Sequence, residues 1–220
     1  MFASDLISNE LLPLKKTDTC ETAAVFMHNF EVAHLPVIDN GKVIGYVCLK
    51  EIYAEPKSSK LDNFIRNEKQ FTVFFNQHLF EVINYMSDSS LSTISVLNDE
   101  GNYSGIISYH ELINDLFHHS SLAQPGGIIT LEMKAKDYSL AELSRIVEFN
   151  DVKIINTYIG TTKNDEYSIF VSLKINQIEL KNVIASFERH GKIIRSVNQA
   201  VQKEEKFTNR YEWLIKYLNT

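Results

Sequence analysis

The residues best placed to do chemistry in this 220-residue chain are a serine and a glutamate three positions apart, Ser108 and Glu111, within "GIISYHE". An apolar, β-branched run meets a helix start there. Serine followed three residues later by glutamate is the pattern of a capping box: the hydroxyl takes the third helical N–H, and the carboxylate reaches back to the cap N–H. The same groups offer a donor and several acceptors to anything bound at the helix start. An earlier stretch, "GYVCLKE", sets Cys48 and Glu51 at the same spacing. A thiol is a poor donor and acceptor, so this corner is chemically weaker.

Other groupings offer less. The chain has no GxSxG, no HExxH and no GxxxxGK[ST]. Its two cysteines, Cys20 and Cys48, have neither CxxC nor zinc spacing, which fits reduced thiols. His28, His34, His78, His110 and His190 are scattered, and His118 and His119 open a breaker-rich stretch, "HHSSLAQPGG". No metal site and no enzymatic activity are expected. A net charge of −6 argues against a nucleic-acid partner, because backbone binding needs clustered Lys and Arg. The start, "MFASDLISNELLPLKK", lacks a basic region followed by an apolar one, and no apolar run approaches the ~20 residues of a membrane helix. A cytoplasmic protein without membrane attachment is expected.

The two corners recur because the chain repeats. Slid along itself until Leu14 falls on Val73, it brings Cys20, Ala23, Ala24 and Met27 onto Leu79, Val82, Ile83 and Met86. Val37 and Ile38 fall on Val96 and Leu97. One extra turn residue then brings Gly41 onto Gly101, Gly45 onto Gly105 and Glu51 onto Glu111. Leu79, Val82, Ile83 and Met86 share one helical face. Asp18 with Glu21 predicts a capping box before the corresponding first helix. "LPVID" and "ISVLN" read as strands, "NGK" and "DEGN" as turns, "VIGYV" and "SGIIS" as return strands. "KEIYAE" and "HELINDLF" read as closing helices. Each copy therefore reads strand, helix, strand, strand, helix. One copy of this size has too little core to stand alone, so the two should pack together.

The doubled unit resembles a tandem pair of cystathionine-β-synthase (CBS) domains, a Bateman module. The resemblance rests on "PLKKTDTCETA" and "TVFFNQHLFEV", on "LPVIDNGKVIG" and "ISVLNDEGNYSG", and on "GYVCLKE" and "GIISYHE". It covers about residues 1–120, with copies at 1–60 and 61–120. It implies a ligand-sensing module, often for adenine nucleotides, so AMP, ADP, ATP or S-adenosylmethionine is the expected regulatory ligand. In that family the exit motif is Gly, two apolar residues, Ser or Thr, two residues, then Asp. The carboxylate accepts from a ribose diol, and the helix N-terminus faces a phosphate. The resemblance carries these roles to Ser108 and Glu111, with Thr72 from the entry strand and Ser95 and Val96 flanking the base. The first corner would use Val37, Cys48 and Glu51. Glu replaces Asp in both copies, and Cys replaces the hydroxyl in the first.

After a linker at 121–127 the pattern changes. Ile129, Leu131, Met133 and Ala135 alternate with polar residues, as in a half-buried strand. Ser139 with Glu142, and Asn176 with Glu179, predict boxed helices carrying Leu140, Leu143 and Val147, and Leu180, Val183, Ile184 and Phe187. "VKIINTYIG", "EYSIFVSLKI" and "KIIRSV" read as strands, with Tyr167, Ile169, Val171, Leu173 and Ile175 on one side of the second. Gly191 ends the second helix. The order β-α-β-β-α-β is ferredoxin-like. With "SLAELSRIVEFNDVKI", residues 128–198 resemble an ACT domain, a regulatory fold that often pairs through its sheet and binds amino acids. Tyr138 stands where that family has a loop glycine, so a sheet-pairing role, and with it a homodimer, is the expectation. The end of the chain, 199–220, places Phe207, Tyr211, Leu214, Ile215 and Leu218 on one stripe, predicting an amphipathic helix docked on protein.

The expected fold class is α/β (α+β): a tandem CBS pair, a ferredoxin-like ACT-like domain and a C-terminal helix. The expected function is non-enzymatic ligand sensing in the service of a protein target that the sequence does not name. An assembly module with degenerate ligand corners is the alternative, and an enzyme of unknown type the third.

Overall fold

The computed structural model of the chain describes residues 1–66, 72–162 and 165–199. The expected C-terminal helix lies outside the described residues. The chain divides into two compact units, one from Met1 to His119 and one from Ser120 onward.

The first unit holds both copies of the repeat. Copy one runs β1 (Leu14–Lys15), α1 (Cys20–Asn29), β2 (His34–Asp39), β3 (Lys42–Cys48) and α2 (Leu49–Ile52). Copy two runs β4 (Thr72–Phe74), α3 (Leu79–Ser89), β5 (Thr93–Leu97), β6 (Tyr103–Ser108) and α4 (Tyr109–His119). In each, a three-stranded sheet has its entry strand parallel to the middle strand and a hairpin on the other side. The registers match: Leu14 pairs with Val37 and Val73 with Val96, and both middle strands shift register at the next residue. Gly41 and Gly101 make the hairpin turns at φ +76° and +74°, conformations that a side chain disfavours.

The segment leading into each copy belongs physically to the other copy. Ala3 and Leu6, ahead of copy one, are buried in the core of copy two with Val73, Val82, Met86 and Val96. Leu61, ahead of copy two, is buried in the core of copy one with Leu14, Met27 and Val37. Each fully buried leucine is worth roughly 1.5–3 kcal/mol. Gly45 and Gly105 permit this exchange: a Cβ on Gly45 would collide with the Arg66 carbonyl, and one on Gly105 with the Ile7 side chain.

Local capping differs from expectation in copy one. The cap of α1 is Thr19, whose Oγ1 accepts from Thr22 N–H at 3.2 Å. Asp18 instead accepts from Lys15 N–H at 2.8 Å and closes the turn before the helix. The closing helix of copy two runs on through His118 and His119, which the sequence reading gives to the breaker-rich stretch that follows "HELINDLF".

The second unit runs β7 (Gly127–Lys134), α5 (Leu140–Glu148), β8 (Ile154–Thr162), β9 (Asp165–Ile175), α6 (Lys181–Arg189) and β10 (Ile193–Asn198). The sheet is antiparallel in the order β10-β7-β9-β8, the ferredoxin-like arrangement. Leu143, Ile146, Val147, Val183 and Phe187 of the helices pack on Ile129, Leu131, Val171 and Leu173 of the sheet. Ser139 caps α5 as expected, accepting from Glu142 N–H at 3.3 Å. The Asn176–Glu179 box is not formed: Asn176 accepts from Lys153 N–H at 2.8 Å, and α6 starts behind Leu180 without a side-chain cap. Leu140 and Tyr167, expected inside, are exposed.

Candidate functional site

The corner at Ser108 is set by the β5–β6 ladder, which pairs Thr93 with Ser108 and delivers the chain into α4. Ser108 is 4% exposed. Its hydroxyl donates to Glu111 Oε2 at 2.8 Å, and its N–H donates to the same oxygen at 3.2 Å. Glu111 N–H donates back to Ser108 Oγ at 3.2 Å. The capping box is thus fully formed. Tyr109 N–H reaches the Ser92 carbonyl at 3.3 Å, and the Tyr109 hydroxyl donates to the Met86 carbonyl at 2.8 Å.

This corner opens onto a cleft of about 490 Å³. Its walls come from Ser8, Glu10 and Leu11, from Asn29 to Val32 at the end of α1, and from Ser92 and the Ser108–Glu111 turn. Both copies therefore contribute. The copies meet along β2 and β5. There Ser92 Oγ accepts from Ala33 and His34 N–H, both at 2.9 Å, and Ser92 N–H donates to His34 Nδ1 at 3.2 Å. Thr93 Oγ1 donates to the His34 carbonyl at 2.9 Å. A larger cavity of about 730 Å³ lies beside Lys15, Lys16, Phe26 and Asp39. It touches neither corner, so the smaller cleft is the better candidate.

The other sequence-predicted residues of the second site are placed differently. Thr72 pairs with Ser95 in the parallel β4–β5 ladder. Ser95 is fully buried; its Oγ accepts from the Tyr46 hydroxyl at 3.0 Å, and its N–H donates to that hydroxyl at 2.8 Å. Val96 is buried in the core opposite Gly105. Of the five, Ser108 and Glu111 line the cleft, and Thr72, Ser95 and Val96 do not.

At the first corner the chain itself engages the glutamate. Arg66 Nε donates to both oxygens of Glu51, at 2.9 and 3.0 Å, and Arg66 Nη2 makes a further close contact with Oε1. The Arg66 backbone pairs with Tyr46 in both directions, at 2.8 and 3.0 Å. This is a bidentate guanidinium–carboxylate fork. Cys48 precedes α2 without a side-chain cap bond, and Val37 is buried in the core. Both cysteines are free thiols, and burial, then the charge of Glu55, raises the pKa of Cys20. Burial and the neighbouring Tyr46 push Tyr103 up to about 12. Among the described residues no group of His, Cys, Asp and Glu is arranged to hold a metal ion, and no helix is long and apolar enough to cross a membrane.

Sequence reasoning missed Glu10, Glu31, Ser92, Arg66 and Tyr46. The repeat held one signal: Arg66 falls where Ile7 stands in the other copy, so a guanidinium stands beside the first corner's glutamate where the second corner has an aliphatic residue.

This doubled strand–helix–hairpin–helix unit, with a Ser/Glu corner at an inter-copy cleft, is matched twice by the family model for the CBS domain, at residues 3–57 and 65–118. The chain therefore carries two CBS domains in tandem. An uncharacterized protein of Methanocaldococcus jannaschii is 22% identical over 151 residues, which span 68% of this chain and 57% of that relative. A CBS domain pair/ACT domain protein from Thermotoga maritima aligns at 15% identity with a TM-score of 0.49, over 54% of this chain and 98% of that one. CBSX2, solved in complex with AMP, aligns at 13% identity and a TM-score of 0.45, over 54% of this chain and 97% of that one.

Proposed function

We propose that this chain is a non-enzymatic, ligand-sensing regulatory protein whose CBS pair binds an adenosyl compound in the cleft beside Ser108 and Glu111. One observation carries the reading: the second corner opens onto a 490 Å³ cleft walled by both copies, whereas at the first corner Arg66 already holds both oxygens of Glu51. A ligand that touches both copies prefers one arrangement of them, and shifts the population toward it. The ferredoxin-like unit serves as an ACT-like pairing module, the assembly is a cytoplasmic homodimer, and the signal passes to a protein target. A single-chain mass in sedimentation removes the dimer from this reading.

Calorimetric titration of the full chain with AMP, ADP, ATP and S-adenosylmethionine tests the ligand. Saturable heat with at least one of them is expected, reduced in Glu111→Ala. The closed capping box favours a second reading, an assembly module whose corners no longer bind. Flat heats for all four compounds would select it.

A further inference from the structure

The sheet of the second unit has its two helices on one side. Both pack on the face that carries Ile129, Leu131, Val171 and Leu173. Register puts Ile128 and Glu132 of β7, Tyr158 of β8, Phe170 of β9 and Ile193 of β10 on the opposite face. The linker covers one end of that face, where Lys174 donates to the Ser121 and Leu122 carbonyls at 3.0 and 2.7 Å. An antiparallel sheet can leave one face to water, but that face is then polar. Here its middle is aromatic. A Cβ on Gly160 would collide with the Phe170 ring, so glycine lets the ring lie across β8. Tyr158 tilts against that ring at 5.9 Å, and the Arg195 guanidinium stands 5.6 Å from its centre. Glu132, paired with Phe170 in the ladder, is half-buried, and its carboxylate has no ion pair or hydrogen bond among the described residues.

The chain itself supplies an occupant of matching size. β10 is an edge strand that ends at Asn198, and residues 200–220, outside the described residues, follow it at once. The sequence predicts a helix there, with a stripe from Phe207 to Leu218 about 17 Å long. Four strands roughly 4.8 Å apart set the outer two about 14 Å from each other. The residues before Phe207 can span roughly 20 Å, enough to turn from the edge onto the face. So short a tether holds the stripe at an effective concentration on the order of millimolar. Arg210 stands three residues after Phe207 and four before Leu214, so it borders the stripe and offers Glu132 a cation. The rival seat is a groove of about 520 Å³ between α5 and α6. It offers two apolar side chains, Ile146 and Phe149, among charged ones.

We propose that the stripe of residues 207–218 docks as a helix on the open face of its own chain's sheet, over Tyr158, Phe170 and Ile193, with Arg210 at Glu132. Such docking leaves the sheet edges to pairing and is independent of the ligand proposed above.

The test is hydrogen exchange of the full chain, read by mass spectrometry. Amides of residues 207–218 should exchange at least about tenfold more slowly than an unstructured chain, since an undocked helix of this length is marginal in water. Tyr158→Asp and Ile193→Asp each put a charge on the open face, at positions 61% and 66% exposed. The tail should lose most of its protection in both, while β7 and α6 keep theirs. Phe149→Asp, in the groove between the helices, should leave the tail protected. A second reading uses the unaltered chain: a short amine cross-linker should join Lys206 or Lys216 to Lys134 or Lys174, which lie on the open face. Tail amides that exchange at the unstructured rate in the parent would overturn the proposal, as would full tail protection in both face variants. Tail protection lost in Phe149→Asp alone, or cross-links confined to Lys181 and Lys192 on the helical side, would place the stripe on the helices and overturn it. Protection that disappears on dilution would place the stripe on another copy and overturn it as well.

Discussion

Replacing Tyr46 by phenylalanine removes one oxygen from the junction between the two copies and leaves the ring where it packs. Tyr46 is 1% exposed, and its hydroxyl holds Ser95 twice, donating to Oγ at 3.0 Å and accepting from N–H at 2.8 Å. A buried hydrogen bond contributes a net ~1 kcal/mol, and a buried donor left without a partner costs roughly 1–3 kcal/mol. The serine hydroxyl can rotate to a new partner, but the Ser95 N–H cannot. The expected loss is about 2–3 kcal/mol, which corresponds to roughly 30–150-fold in an opening equilibrium. Hydrogen exchange read by mass spectrometry reports that equilibrium locally. Peptides from β2, β5 and β6 should lose protection by about that factor, while peptides from residues 127–198 keep theirs. Ser95→Ala should be milder, because it keeps the backbone bond, and the double variant should not add the two losses. Loss of protection below about threefold in Tyr46→Phe, or an equal loss in both units, would refute the claim that this hydroxyl ties the copies together.

Two further outcomes follow from bonds described above. Ser108→Ala removes the cap of α4 and should lower stability by about 1 kcal/mol, seen first as faster exchange of the amides at the start of that helix; unchanged exchange there would mean the box contributes nothing. Asp165 is held down to about 2 by the Lys134 ammonium first, then by the Ser168 hydroxyl and the Tyr167 N–H. An unfolded aspartate titrates near ~3.9, so this carboxylate adds stability above that pH and loses it as pH falls toward about 2. Lys134→Met should bring the native value back toward the unfolded one and flatten the acid dependence in that window. A carboxyl NMR titration of Asp165 that is identical in the variant and the parent would rule this out.

The architecture of the first unit was legible because a repeat displays its own alignment. Paired apolar positions and paired glycines have a shared physical cause, the hairpin turn and the close crossing at Gly45 and Gly105. The single-residue shift falls in a turn, where an extra residue disturbs no ladder. The capping box at the candidate corner was legible for the same local reason: Ser108 and Glu111 are three residues apart, and capping chemistry depends only on that spacing. What escaped depends on chain segments returning from a distance. Arg66 reaches Glu51 because the segment before copy two crosses back over copy one, and no local pattern announces that crossing. Tyr46 meets Ser95 across the junction of two sheets. Glu10 and Glu31 are surface charges, and they share a cleft only because the N-terminal loop and the turn after α1 both come beside the start of α4. The capping misreadings were of another kind. Asp18 and Thr19 are adjacent candidates, and the backbone selects the one whose carbonyl already begins the helix. Asn176 was drawn away by the Lys153 N–H on a neighbouring segment.

The exchange of leading segments also bears on how the chain is made. Residues 1–7 emerge from the ribosome long before the strands and helices that bury Ala3 and Leu6 exist. Copy one must likewise wait for Leu61 and Ile65, which lie beyond its own last helix. Neither copy can seal its interior during its own synthesis. The turn that carries Ala3 and Leu6 stays undocked until α4 has been translated, and closing it then joins residues from opposite ends of the unit. Such distant closure slows folding relative to local contacts, and it leaves the apolar seat for Leu6 open in the nascent chain until the last step.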